Sequence, residues 1–144
     1  MFPKAVIDSG PLFSALILNY YEADSKYGRP ICNSGPNDPL LDPPAQRLFL
    51  EALNSIEEKI TTSHVIGELQ GLEKSRLKLY GDGRTKFWRA SIDLLTQWNV
   101  DEKVVRPLDL ASDEMLRSCL PRIGHVDTGL IDVALRHGCP PHGG

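Results

Sequence analysis

The feature that most constrains this chain is an alternation. Short apolar runs suited to buried strands are each followed by stretches with helical spacing. Residues 4–8, KAVID, form the first run, with Ala5, Val6 and Ile7 expected inside a parallel sheet. SGPLFSALILNYYE follows as a helix, with Ser9 as its expected N-cap and Leu12, Phe13, Leu16, Ile17 and Tyr20 on its apolar positions. Residues 28–44 are so dense in Pro, Gly and Asn that they read as a loop excursion. Asp42, followed by two prolines, is expected to cap a helix that carries Leu48, Phe49, Ala52, Leu53 and Ile56 on one face.

The pattern then repeats. EKITT, residues 58–62, reads as a strand. A helix opened by Ser63 is expected to run to Tyr80, with Val65, Ile66, Leu69, Leu72 and Leu77 apolar. After a turn at Gly81–Gly83 comes another helix with Phe87, Trp88, Ile92, Leu95 and Trp98. VVRPL, residues 104–108, is the third strand candidate. Ser112 is expected to start a short helix and Asp127 the last one, which Gly138 caps. This order predicts an α/β fold with a mainly parallel sheet. Residues 140–144 read as a tail, because Pro140, Pro141 and two glycines are poor material for a further strand.

In an open α/β sheet, ligands sit at the carboxyl ends of the strands. Asp8 stands at the end of the first run, where it either binds a cation or caps the next helix. Glu68 lies about one turn into the helix after the second strand, as a site residue or as an exposed acid opposite the core. Asp127 is either a third acid of the site or an N-cap. Asp132, about 140° further round the same helix, is expected to be solvated or to support the site from outside.

Taken together, V-I-D-S-G-P-L, T-S-H-V-I-G-E-L and D-T-G-L-I-D-V-A-L-R-H-G resemble, in that order, the three acidic blocks of the PIN-domain family, in its VapC-like ribonuclease branch. The resemblance covers residues 4–138 and is concentrated in those blocks. It implies a PIN-like domain over residues 1–139, a three-layer α/β/α arrangement that is incomplete at its C-terminus. It also implies a catalytic and metal-binding set of Asp8, Glu68 and Asp127. The further Asp that these domains carry after the next strand, in a T-x-D-like stretch, has no counterpart here. The expected strand beside the first one is expected to be missing as well.

Mg²⁺ and Mn²⁺ suit clustered carboxylates, whereas zinc prefers His and Cys. Such an ion neutralises phosphodiester oxygens and acidifies a bound water. The resemblance therefore implies a metal-dependent endoribonuclease acting on single-stranded or structured RNA. It admits a toxin of a toxin–antitoxin pair, with an antitoxin protein or a second copy of the chain as partner. The alternative is a catalytically inactive PIN-like binding module or fragment. A third reading, a doubly wound hydrolase or response-regulator-like domain, predicts acids bunched after the first strand and a later strand-end Lys, and neither is evident.

Substrate contact has a candidate in residues 74–89, with six basic side chains against one acid, interleaved with Tyr80, Phe87 and Trp88. The competing reading makes Phe87 and Trp88 core and the basic groups a solvated helix face. The net charge of −3 does not oppose a nuclease, since an acidic pocket offsets basic patches elsewhere. Three cysteines without a CxxC pair suit reduced thiols, and Cys139 with His142 in the tail is a weak zinc signal. The N-terminus lacks a secretory pattern and no apolar run reaches membrane-spanning length, so a cytoplasmic location is expected.

Overall fold

The computed structural model describes residues 4–23, 31–32, 43–79, 81–138 and 141–142. Strands β1 (Lys4–Ile7), β3 (Glu58–Thr62) and β5 (Asp101–Lys103) form an all-parallel sheet in the order β5-β3-β1, packed by helices. The class is therefore α/β, as the alternation predicts. Thr61 Oγ1 donates to the Ile7 carbonyl at 2.9 Å, which pins the carboxyl ends of β1 and β3 together. Ala5, Val6, Ile7 and Ile60 are buried, as strands covered on both faces require.

Helix α1 (Ser9–Ala23) buries every predicted apolar position, from Leu12 to Tyr20. It packs against α4 (Gly83–Gln97), where the Phe87 ring meets Phe13 and Tyr20 edge-on at centroid distances of 6.4 and 5.6 Å. Burying side chains of this size contributes roughly 1.5–3 kcal/mol each. Helix α2 (Pro43–Asn54) begins at the expected prolines, but the Asp42 cap lies outside the described residues, as do residues 33–42 of the Pro/Gly-rich excursion. Leu53 and Ile56 are buried, while Leu48 and Ala52 face solvent. The apolar stripe is thus narrower than its sequence spacing predicts.

Several boundaries differ from the sequence reading. Helix α3 (Ser63–Arg76) is capped by Thr62, whose hydroxyl accepts from the Val65 N–H, rather than by Ser63. It stops at Arg76 because Leu77–Lys78 extends as β4 and pairs antiparallel with β2 (Ile31–Cys32), inside the stretch expected to be only loop. Strand β5 lies three residues before VVRPL. Arg106 and Pro107 there open the short α5 (Pro107–Leu110), and Val104 is exposed. A proline without an N–H at the start of a helix turn explains the shift.

Asp113, not Ser112, caps α6 (Glu114–His137), accepting from the Leu116 N–H. α6 is two helical segments joined at Gly124, whose φ of 85° and ψ of 169° are not helical. Gly138, in the left-handed region at φ 62°, ends it as predicted. Beyond it, Pro141–His142 forms a two-residue strand, β6, parallel to β1 on the side away from β3. The tail thus supplies a strand pairing that its prolines and glycines were expected to forbid. A two-residue pairing at a sheet edge asks little of a proline, whose missing N–H can face away from the ladder.

Candidate functional site

Asp8 follows β1 directly. Its carbonyl accepts from the Leu12 N–H at 3.2 Å and its Oδ1 from the Ser9 N–H at 2.6 Å. Asp8 therefore caps α1, the role expected of Ser9, and remains only partly buried. The Ser9 hydroxyl is released for another contact: it donates to Glu68 Oε2 at 3.0 Å. Glu68 is exposed, on α3, the helix that leaves the carboxyl end of β3. With the parallel strands pinned at their ends, both acids accept from one serine.

Asp127 is placed differently from the expectation. The last helical segment starts after Gly124, where Thr128 Oγ1 donates back to the Gly124 carbonyl at 2.7 Å. Asp127 therefore sits inside the first turn and does not cap it. It is exposed, and among the described residues no hydrogen bond or ion pair joins it to Asp8 or Glu68. Its segment does reach the same edge: the His125 ring meets the ring of His64, in the first turn of α3, at a centroid distance of 4.9 Å. Among the described residues, no group of three or more His, Cys, Asp or Glu side chains is arranged to hold a metal ion. Ser9 links Asp8 and Glu68 through its backbone N–H and its hydroxyl, while Asp127 stands on a neighbouring element without a hydrogen bond or ion pair to either among the described residues.

None of these three acids takes part in an ion pair among the described residues. Asp132, by contrast, is not solvated. It is 7% exposed and its Oδ1 accepts from Arg136 Nε at 3.1 Å, one turn further along α6. It lies among Leu130, Val133 and Ala134, so the segment turns this acid toward the core.

The basic stretch also changes character. Arg84 Nε meets Glu73 Oε1 at 2.7 Å, and Trp88 Nε1 donates to the same oxygen at 3.1 Å. Glu73 is fully buried, and sequence reasoning missed it because it falls one residue before the counted window. Only the pairing of α3 with α4 reveals it. Lys86 pairs with Asp82. Phe87 is core and Trp88 half-buried, as the competing reading has it, while Lys74, Arg76 and Arg89 are exposed. Tyr80 and the Cys139 end of the tail's zinc signal lie outside the described residues.

His64 and His125 are the residues at this edge that the sequence did not single out. Nδ1 of His64 is buried without a hydrogen-bond partner, which costs about 1–3 kcal/mol if nothing satisfies it. Among the described residues, no helix is long and apolar enough to cross a membrane. No family model, no curated protein and no solved structure matches the chain.

Proposed function

We propose that the chain is a PIN-like, Mg²⁺- or Mn²⁺-dependent endoribonuclease whose acidic edge is built from Asp8, Glu68 and Asp127. The observation that carries this reading is the Ser9 bridge. Two carboxylates 60 positions apart in the chain accept from one serine, Asp8 from its backbone N–H and Glu68 from its hydroxyl, and neither forms an ion pair among the described residues. Carboxylates without a cationic partner at one sheet edge favour a bound cation. Mg²⁺ is commonly held by one or two carboxylates, with water and substrate phosphate completing its shell. Asp8 and Glu68 fit that demand without a third protein ligand in place.

In this reading Asp8 and Glu68 would hold the ion, which supplies an acidified water and charge neutralisation at the phosphodiester. Ser9 would steady the Glu68 carboxylate through its hydroxyl. Asp127 lies in the first turn of its segment at the same edge and would be the third acid of the site. The strand order β5-β3-β1-β6 supports the PIN-like topology. Right-handed crossovers in that order would put α6 on the sheet face opposite α3 and α4, giving three layers. β6 occupies the side of β1 where the resemblance expects a strand. An RNA substrate follows from the resemblance, as do an antitoxin or a second copy of the chain as partner.

The second reading, an inactive PIN-like binding module, is favoured by one observation: no three-ligand group is preassembled among the described residues. Thermal unfolding with increasing Mn²⁺ separates the two. Saturation at about 100 times the dissociation constant stabilises the native state by about 2.7 kcal/mol. The nuclease reading expects a rise in Tm that is lost in Asp8→Asn and reduced in Asp127→Asn, together with Mn²⁺-dependent RNA cleavage. No shift in the parent supports the binding module. Cleavage that survives Asp8→Asn removes the proposed chemistry.

A further inference from the structure

The His64–His125 pair is not used by the carboxylate reading and stands independently of it. The two imidazoles come from different helices, α3 and the second segment of α6, and meet at 4.9 Å with their planes 83° apart. Apolar packing does not call for two polar rings here. A buried ring nitrogen with no partner is uncommon enough to need an explanation. His125 is exposed, so the pair opens to solvent on one side.

We propose that His64 and His125 together bind a borderline transition-metal dication of the Zn²⁺ class. Neutral imidazole is a preferred donor for Zn²⁺, Cu²⁺ and Ni²⁺, whereas Mg²⁺ takes oxygen. With metal–nitrogen bonds of about 2.0–2.1 Å and roughly 1.1 Å from nitrogen to ring centre, two rings on one ion have centroids about 4.5 Å apart at a right angle and about 5.2 Å at the tetrahedral angle. The observed 4.9 Å falls between the two. The spacing of the two rings is therefore compatible with one ion held by a nitrogen of each. Water fills the remaining positions, so the site is an open one at the mouth of the carboxyl edge. The orphaned Nδ1 of His64 gains a partner.

The test is calorimetric titration of the full chain with ZnCl₂ in a non-chelating buffer. In a large excess of MgCl₂, which occupies the carboxylate edge, the parent is expected to bind one Zn²⁺ saturably. His125→Asn, at an exposed position, and His64→Gln are each expected to weaken binding roughly tenfold or more. The exposed site of His125→Asn keeps the test independent of whether His64→Gln folds. Asp8→Asn is expected to leave Zn²⁺ affinity within about twofold, which separates this site from the carboxylate edge. The double variant Cys139→Ser/His142→Ala, which removes the tail's zinc-type spacing, is expected to do the same. No saturable Zn²⁺ binding up to about 1 mM overturns the proposal. So does unchanged affinity in His125→Asn, or a tenfold loss in either Asp8→Asn or the tail variant.

Discussion

At the residue scale, two buried charges decide more than their sequence neighbourhoods suggest. Lys59, in the middle of the sheet, is 4% exposed. Its Nζ donates to the Ile56 carbonyl at 2.7 Å and lies 5.1 Å from the centre of the Trp98 ring. Burial pushes its pKa below the ordinary 10.5. Between the lowered folded value and 10.5 the unfolded chain binds more protons than the folded one, so Lys59 makes stability rise with pH across that window. Urea unfolding at a series of pH values from neutral to about 10.5 should show this slope in the parent. Lys59→Met should flatten it, and an unchanged slope would mean that Lys59 titrates normally. Glu73 is the acidic counterpart. It accepts from Arg84 and Trp88 through one oxygen while the other is buried without a partner, and it staples α3 to α4.

At the scale of elements, the break in α6 does the most to shape the candidate edge. Gly124 adopts a backbone conformation that only glycine reaches without strain, and Pro121 three residues earlier already lacks an N–H to give to the helix. The second segment therefore starts afresh, presenting His125 to His64 and Asp127 to solvent. Gly124→Ala is expected to cost about 1–3 kcal/mol, read as a lower urea midpoint. An unaltered midpoint would show that the break is not needed. β5 is an instructive case among the strands. Its sequence is DEK, with no apolar residue, and it is a strand only because β3 offers it an open edge. Local pattern favours VVRPL instead, and tertiary pairing overrides it.

For the whole molecule, the order β5-β3-β1-β6 puts β1 inside the sheet and Asp8 at a central strand end. The α4 face beside the Glu73 staple carries two arginines. Arg84 and Arg89, with Thr85, Trp88, Ile92 and Asp93, line an open groove of about 480 Å³. Their charges are not equivalent, since Arg84 is committed to Glu73. If RNA crosses this face, Arg89→Ala should weaken binding similarly for all sequences and lower the salt slope by about 1. Arg84→Ala should instead lower stability, because it leaves a buried carboxylate short of its counter-charge. Filter binding over a salt series checks the first part, and an unchanged slope in Arg89→Ala would exclude this face.

The sequence by itself determined the fold class, the burial of β1 and α1, and the placement of Asp8 at a strand end. Those features follow from periodicity, apolar runs and the rule that parallel strands are covered on both faces. The Gly138 stop was equally legible, because its residue type answers a local backbone need. Only tertiary structure decided that Ser9 reaches Glu68, that Glu73 is buried against Trp88, and that His64 and His125 meet. Each of those contacts joins different elements, and no local spacing records which helices will lie side by side. The same holds for β5 and β6, whose residues carry little strand preference and which pair because a neighbouring strand offers unsatisfied hydrogen-bonding groups.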